Sequence, residues 1–158
     1  MSLLGHPNMP LAVIEAIVSG KDIQLMIGIS YRPHLPEEML LRLLRHKHLM
    51  LHQTILRLPR LTPRVLGRLS RSPFVEVRYE MAQMPQLPSV IAEELAKDGV
   101  WIVREAAVRS GKLSGTAMYE LTRDPIKWVR LTASGQAPFW PWEHARREAD
   151  FEAALTGR

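Results

Sequence analysis

Arginine and aspartate recur at fixed intervals in the second half of the chain. The recurring residues are Arg78, Asp98, Arg104, Asp124 and Arg130. Like residues stand 26 positions apart, and Ser72 takes the place of the aspartate before the first arginine. The pattern suits two chemistries: a row of guanidinium groups that binds an anionic partner, or Asp–Arg ion pairs that tie helix ends together. Because each arginine directly follows a valine that we expect to be buried, the pattern favours a structural ladder.

A second set of cations also repeats every 26 residues. We call residues that stand 26 positions apart a column. One column of cations comes just after a helix in four successive repeats, and two columns lie in the corners between helices. Two further arginines share one helix face. The candidate partner-binding residues are Arg45, Arg57, Arg60, Arg64, Arg68, Arg71, Lys97, Arg109, Lys112 and Arg123. Within a formal charge of +5, the basicity is concentrated between Arg42 and Arg78, where nine lysines and arginines stand against one acid, Glu76. Such rows suit a phosphate backbone or an acidic partner, or they complement helix C-terminal dipoles and keep the surface soluble.

Three histidines, His46, His48 and His52, raise the question of a metal site. His48 and His52 have the i, i+4 spacing that can hold zinc on a helix, but no glutamate lies between them to act as a base. His46 and His52 also stand in register with the aspartate and arginine columns. We therefore interpret them as structural substitutions in a basic, solvated segment, and we predict no metal and no cofactor.

The sequence contains no recognisable catalytic motif. It has no nucleophile elbow, P-loop or dinucleotide fingerprint. The absence of cysteine excludes disulfides, iron–sulfur clusters, Cys-ligated zinc and a thiol nucleophile. These observations predict a protein that is not an enzyme.

A Pro- or Gly-led corner followed by an apolar helical stripe occurs five times. The corners are Pro7-Asn8-Met9-Pro10, Pro33-His34-Leu35-Pro36, Pro59-Arg60-Leu61-Thr62, Pro85-Gln86-Leu87-Pro88 and Gly111-Lys112-Leu113-Ser114. The apolar stripes are Met9, Val13, Ile17; Leu35, Met39, Leu43; Leu61, Val65, Leu69; Leu87, Ile91, Leu95; and Leu113, Ala117, Leu121. Their i, i+4, i+8 spacing keeps one face of a short helix apolar. The ladder motif supplies a second helix to each repeat.

Helices this short are marginal alone in water, where about 12–15 residues are needed. Stacked neighbours must therefore bury their apolar faces, which predicts an all-α α-solenoid of about five 26-residue two-helix repeats. The Asp-x-x-x-x-Val-Arg motif and the following Pro-x-Leu-Pro corner resemble the leucine-rich repeat variant family, over about residues 5–136. The resemblance implies a right-handed superhelix similar in style to HEAT and armadillo arrays. The iron–sulfur cluster of that family's best-known member cannot be carried over to a chain without cysteine.

At the C-terminus the repeat decays and a cap is expected over 137–158. Pro138-Phe139-Trp140-Pro141-Trp142 breaks the last helix, and Glu143–Leu155 reads as an amphipathic helix. Its predicted inner side carries Trp142, Ala145, Ala149 and Glu152, with Phe151 and Leu155 nearby. Trp140 and Trp142 either belong to this cap or form an exposed aromatic patch for a partner.

The length of 158 residues predicts one domain over 1–158. No stretch reads as a signal peptide or a membrane span, so we expect a cytoplasmic protein without a membrane partner. We expect a non-enzymatic scaffold that binds a protein or peptide along its concave surface. The alternative is nucleic-acid binding through the patch from Arg42 to Arg78. A HEAT-like DNA glycosylase, with Asp98 and Trp101 or Asp124 and Trp128 at its centre, is a fold-level analogy only.

Overall fold

The computed structural model describes residues 9–32, 35–136 and 141–157, and all regular secondary structure in these ranges is α-helical. The prediction of an all-α protein is therefore confirmed. The helices are α1 Leu11–Ser19, α2 Ile23–Ser30, α3 Glu37–Leu43, α4 Leu49–Leu56, α5 Pro63–Leu69, α6 Val75–Ala82, α7 Ser89–Leu95, α8 Trp101–Arg109, α9 Gly115–Leu121, α10 Lys127–Ala133 and α11 Pro141–Thr156. Odd-numbered helices begin 26 residues apart, from Leu11 to Pro141, and so do even-numbered ones, from Ile23 to Lys127. The 26-residue period of the sequence is therefore also the spacing at which equivalent helices begin.

The first helix of each repeat begins where the corner residues predict. The residues that precede the helices are Pro10, Pro36, Thr62, Pro88 and Ser114. Thr62 and Ser114 cap their helices, because each hydroxyl accepts the backbone N–H three residues on, at 3.3 Å and 3.2 Å. Gly111 follows α8 with φ 67°, a left-handed conformation that suits glycine after a helix. Parts of two corners, Pro7-Asn8 and Pro33-His34, lie outside the described residues.

Residues Met1–Val77 form an N-terminal compact unit. In it α1 packs on α2 and α3, α2 on α4, and α5 on α3 and α4. Its core is mostly apolar, and its largest fully buried side chains are Val18, Met26, Ile29, Leu43, Leu44, Leu51, Ile55 and Leu69. Helices in like positions of successive repeats therefore lie side by side within this unit.

Residues Arg78–Arg158 form a C-terminal compact unit. Here α8 is central, because α7, α10 and α11 all pack on it, while α9 packs on α10. The core combines Met81, Leu95, Ile102, Val103 and Val129, each at most 1% exposed. The single domain expected over 1–158 stays a prediction.

The apolar stripe of α1 departs from the prediction. Met39, Val65 and Ile91 are buried as expected, but Val13, in the same register, is 44% exposed. Ile14 and Val18 are the buried residues of this helix instead. An interior helix buries two stripes, one toward each neighbouring repeat, whereas α1 has a described neighbour on only one of these sides. Leu25 is 38% exposed although Leu51 in the same register is fully buried, and it fits the same explanation.

The C-terminal helix is confirmed, but its predicted inner face is wrong. Helix α11 begins at Pro141, and both Ala149 and Glu152 are exposed. The half-buried side carries Arg147, Phe151, Ala154 and Leu155. Phe151 packs edge-on against Tyr79 with ring centroids 5.2 Å apart. Trp140 and the side chain of Trp142 lie outside the described residues.

Candidate functional site

The recurring arginines and aspartates form ion pairs that bridge successive repeats. Arg78 Nε donates to Asp98 Oδ2 at 2.6 Å, and its Nη2 donates to Oδ1 at 3.1 Å. Arg104 makes the same two bonds to Asp124, at 2.7 and 2.9 Å. We call this contact between residues i and i+20 a clasp. The bidentate geometry is the strong form of the Arg–carboxylate interaction.

Each clasp also organises the loop before the second helix of the repeat. Asp98 Oδ1 accepts the N–H of Val100, and Asp124 Oδ1 accepts that of Ile126, both at 2.8 Å. The Nη1 atom of Arg104 donates to the Asp98 carbonyl oxygen at 2.8 Å. One arginine therefore holds the loop of its own repeat and the aspartate of the next.

Asp124 is buried in its clasp and remains a carboxylate. Burial alone would raise the pKa of this carboxyl group. The hydrogen bond from Arg104, the N–H of Ile126 and the nearby arginine charges outweigh burial and hold its pKa below the ordinary value of 3.8. The clasp is therefore ionic at neutral pH.

In the N-terminal unit, His52 and Ser72 form a neutral version of the clasp. His52 Nε2 lies 3.1 Å from the His46 carbonyl oxygen and must donate to it, so Nδ1 accepts the Ser72 hydroxyl at 2.9 Å. Ser72 Oγ in turn accepts the N–H of Phe74 at 3.3 Å. These three contacts have the same residue spacings as those made by Arg104 and Asp124, but different atoms form them. Both ring nitrogens of His52 are thus engaged, which leaves neither for the metal considered above.

The neutral clasp makes the N-terminal unit acid-sensitive. Burial is the main cause that lowers the pKa of His52 from 6.5, and the charge of Arg68 lowers it further. As pH falls through 6.5, the unfolded chain takes up a proton that the folded chain still excludes, so the free energy of unfolding falls until the lowered pKa is reached. We expect the double variant His52→Arg, Ser72→Asp to lose less stability than the wild type between pH 7 and pH 5, measured by urea unfolding. Met50→Leu is the control, since this exposed side chain of the same unit carries no titratable group and should keep the wild-type slope. Parallel pH profiles for wild type and double variant would contradict the assignment.

The ladder ends at Arg130. Its Nη1 donates to the carbonyl oxygens of Asp124 and Pro125, at 2.6 and 2.9 Å. Asp150 stands twenty residues on, but it lies within α11 and accepts Trp128 Nε1 at 2.9 Å instead. No carboxylate of the described residues forms an ion pair with Arg130. The continuous helix α11 replaces the loop that would have presented an aspartate.

Four of the predicted partner-binding arginines line one groove of the N-terminal unit. The lining residues of this groove, whose volume is about 530 Å³, are Glu38, Leu41, Arg45, Arg64, Gly67, Arg68 and Arg71. Helix α3 and Arg45, two residues beyond its end, form one wall, and α5 and Arg71, two residues beyond its end, form the other. We call this site the arginine groove.

The floor and rim of the arginine groove are open. Gly67 lies in the middle of α5, where an added Cβ would meet no atom within 4 Å. Arg64 is 67% exposed and reaches Glu37 and Glu38 at 3.4 and 3.3 Å. Exposed pairs of this length contribute little. A carboxylate or phosphate of a partner can therefore replace these glutamates.

The other predicted cations lie elsewhere. Arg57, Arg60 and Lys112 are exposed and do not line the arginine groove. Arg109 pairs with Glu105 at 3.0 Å, and Arg123 stacks on Tyr119 with its guanidinium carbon 4.2 Å from the ring centroid. Lys97 lines a different cleft in the C-terminal unit. Equivalent positions in the repeat are therefore not all lining residues of the arginine groove.

A buried polar cluster around Glu105 was missed by sequence reasoning. This carboxylate is 3% exposed and accepts Arg147 Nη2 at 2.5 Å, Arg109 Nη2 at 3.0 Å and the Thr132 hydroxyl at 3.0 Å. It fixes α11 to α8. Its one sequence signal is a glutamate at a position where the other repeats carry Ile27, Gln53, Tyr79 and Leu131.

Comparison with protein-family models, curated proteins and solved structures gives no match. Within the described residues no group of three or more histidines and carboxylates could hold a metal ion. None of the helices found there has the length and hydrophobicity needed to cross a bilayer. The functional assignment therefore rests on the clasps, the Glu105 cluster and the arginine groove.

Proposed function

We propose that this chain is a non-enzymatic α-solenoid that binds an acidic segment of a partner protein through the arginine groove. The solenoid part of the proposal is supported by packing inside each unit: α1, α3 and α5 lie in sequence, as do α2 and α4, and α8 and α10. The 26-residue spacing of the helix starts and the clasps between successive repeats support about five repeats. The resemblance to leucine-rich repeat variant proteins is part of this proposal.

The observation that carries the function is the convergence of Arg45, Arg64, Arg68 and Arg71 on one groove. Four guanidinium groups there stand against one lining carboxylate, Glu38. Planar guanidinium groups recognise carboxylates in bidentate pairs, and like charges held together attract an oppositely charged partner from a distance. The ladder arginines do not line this groove: Arg78 and Arg104 are paired in the clasps, and Arg130 donates to carbonyl oxygens of its own loop.

The lining chemistry favours an acidic peptide over a nucleic acid. None of the described lining residues is aromatic, so a single-stranded base would find no ring to stack on. Arg57 and Arg60 lie outside the groove, which shortens the track available to a phosphate backbone. A carboxylate-rich segment needs neither feature.

Nucleic-acid binding is the second candidate, because Arg45 and Arg71 occupy equivalent positions of adjacent repeats and face one groove. Phosphate binding by several arginines releases counterions, so its affinity falls steeply with salt, with a slope of about −0.7 per phosphate for single strands. A labelled oligonucleotide beside a labelled acidic peptide of similar net charge separates the two candidates. Tighter binding of the oligonucleotide with a slope of about −3 or steeper would favour the second.

Charge reversal inside the arginine groove is expected to abolish binding of a labelled Glu/Asp-rich peptide. We predict that Arg45→Glu, Arg68→Glu weakens the affinity at least about tenfold, equivalent to about 1.4 kcal/mol. The matched control is Arg60→Glu, Lys112→Glu, which makes the same change in net charge at exposed positions outside the groove. Gly67→Met is a second test, since it fills the floor without altering charge. Fluorescence anisotropy at low salt measures the affinity of all three variants for the peptide. Equal losses of affinity in the groove and control variants would contradict the proposal.

A further inference from the structure

The C-terminal unit contains a second, larger cleft that the proposed function does not use. Its volume is about 1210 Å³. The first turns of α8 and α10 form one side and α11 forms the other. Small-molecule sites in proteins typically have volumes of about 300–1,000 Å³. The cleft is therefore large enough for an organic molecule.

Two tryptophans give this cleft an aromatic surface. Trp101 is half-buried at the start of α8. Trp128 is buried, and its ring is fixed by the Nε1 hydrogen bond to Asp150 and by Lys127, whose Nζ lies 5.3 Å from the ring centroid. A tryptophan held at a cleft wall offers a planar face on which another ring can stack at little cost in side-chain entropy.

The charged side chains that line the cleft differ in whether they already have a partner. All three lining carboxylates are engaged: Asp98 and Asp124 in clasps, and Asp150 with Trp128. The side chains of Lys97 and Arg146 are exposed at the cleft and form no direct ion pair with a described carboxylate. Four cations line the cleft, Lys97, Arg104, Lys127 and Arg146, against these three carboxylates, so the cleft favours an anion.

We propose that this cleft binds a small organic anion with a planar aromatic body, such as an aryl carboxylate or an aryl phosphate. The ring stacks on Trp101, and the anionic group lies between Lys97 and Arg146. The proposal stands apart from the arginine groove, since it concerns another unit and other residues. Failure of one leaves the other intact.

The test uses two dyes of similar shape that differ in charge. Anilinonaphthalene sulfonate is an aromatic anion, and phenylnaphthylamine is its neutral counterpart. We expect saturable fluorescence enhancement with the anionic dye and at least about tenfold weaker binding of the neutral one. The double variant Lys97→Glu, Arg146→Glu should weaken binding of the anionic dye by at least about tenfold and leave the affinity for the neutral dye within about twofold of wild type. Trp101→Ala should weaken both dyes.

Lys112→Glu, Arg123→Glu is the matched control, because both residues are exposed cations that do not line the cleft. Binding of the anionic dye should stay within about twofold of wild type in this variant. Far-ultraviolet circular dichroism checks that each variant retains its helices. Dye binding that resists both the charge reversal and the loss of Trp101 would overturn the proposal, as would the absence of saturable binding to the wild type.

Discussion

Replacing Glu105 by alanine is expected to lower the free energy of unfolding by about 3–5 kcal/mol. The carboxylate is buried and holds Arg147 of α11, which is itself only 18% exposed. Removing one partner of a buried ion pair leaves the other charge without compensation in a medium of low dielectric constant. The Thr132 hydroxyl loses an acceptor in the same step. Urea unfolding followed by circular dichroism measures the change.

A double variant separates the ion pair from simple loss of packing. Glu105→Met with Arg147→Met removes both charges and keeps apolar volume, so it should cost less than Glu105→Ala alone. Glu120→Ala is the control, since this exposed glutamate should change stability by no more than about 0.5 kcal/mol. A loss below about 1 kcal/mol for Glu105→Ala would show that the cluster does not fasten α11.

Breaking an ionic clasp should have an effect of similar size with a characteristic pH dependence. Arg104→Met is expected to lower the free energy of unfolding by about 3–5 kcal/mol at pH 7, because the Asp124 side chain is only 4% exposed. In the wild type the lowered pKa of Asp124 gives stability that is present above 3.8 and lost as the pH falls through the folded-state pKa. Without Arg104 its hydrogen bond and its charge no longer oppose burial, while the N–H of Ile126 and the charge of Arg130 remain, so the pKa of Asp124 rises relative to the wild type. The variant therefore gains relative stability in acid, and its deficit should narrow as pH falls below about 4.

Arg130→Met provides the comparison for this second prediction. Arg130 occupies the same register and binds carbonyl oxygens of its own loop, but it has no ion pair with a described carboxylate of a following repeat. Its loss should cost about 1 kcal/mol, as expected for ordinary hydrogen bonds. Equal losses for Arg104→Met and Arg130→Met, or a deficit independent of pH, would contradict the role assigned to the clasp.

The helices and their starts could be predicted from the sequence because equivalent positions of several repeats indicate the same helix start. Pro36, Thr62 and Pro88 differ in type but share a register, so each supports the others. Periodicity failed for Val13, because α1 has a described neighbour on only one side, and it failed for the inner face of α11, whose segment carries no repeat. The arrangement of repeats as a solenoid stays a prediction.

The Glu105 cluster and the composition of the arginine groove were beyond the sequence for a different reason. Arg147 lies 42 residues from Glu105, in a segment that carries no repeat. Register says that Arg45, Arg71 and Lys97 are equivalent, but it does not give the reach of each side chain. Arg64 and Arg68 join Arg45 and Arg71 because α3 and α5 pack together, and that contact depends on the whole core.

The clasp has a consequence for how such a chain can change length. Its two halves lie twenty positions apart and so belong to different repeats. Loss of residues 79–104 by unequal recombination would set Arg78 twenty positions before the former Asp124 and restore a matched pair. Loss of residues 53–78 would set His52 opposite the former Asp98, where a neutral imidazole Nδ1 and the carboxylate are both acceptors and the pair forms only if the imidazole takes up a proton. We therefore expect the gain or loss of a repeat to be tolerated where the clasps on both sides are of the same type. The neutral clasp before Ser72 and the ionic clasps after it are of different types, so their repeats are not directly interchangeable.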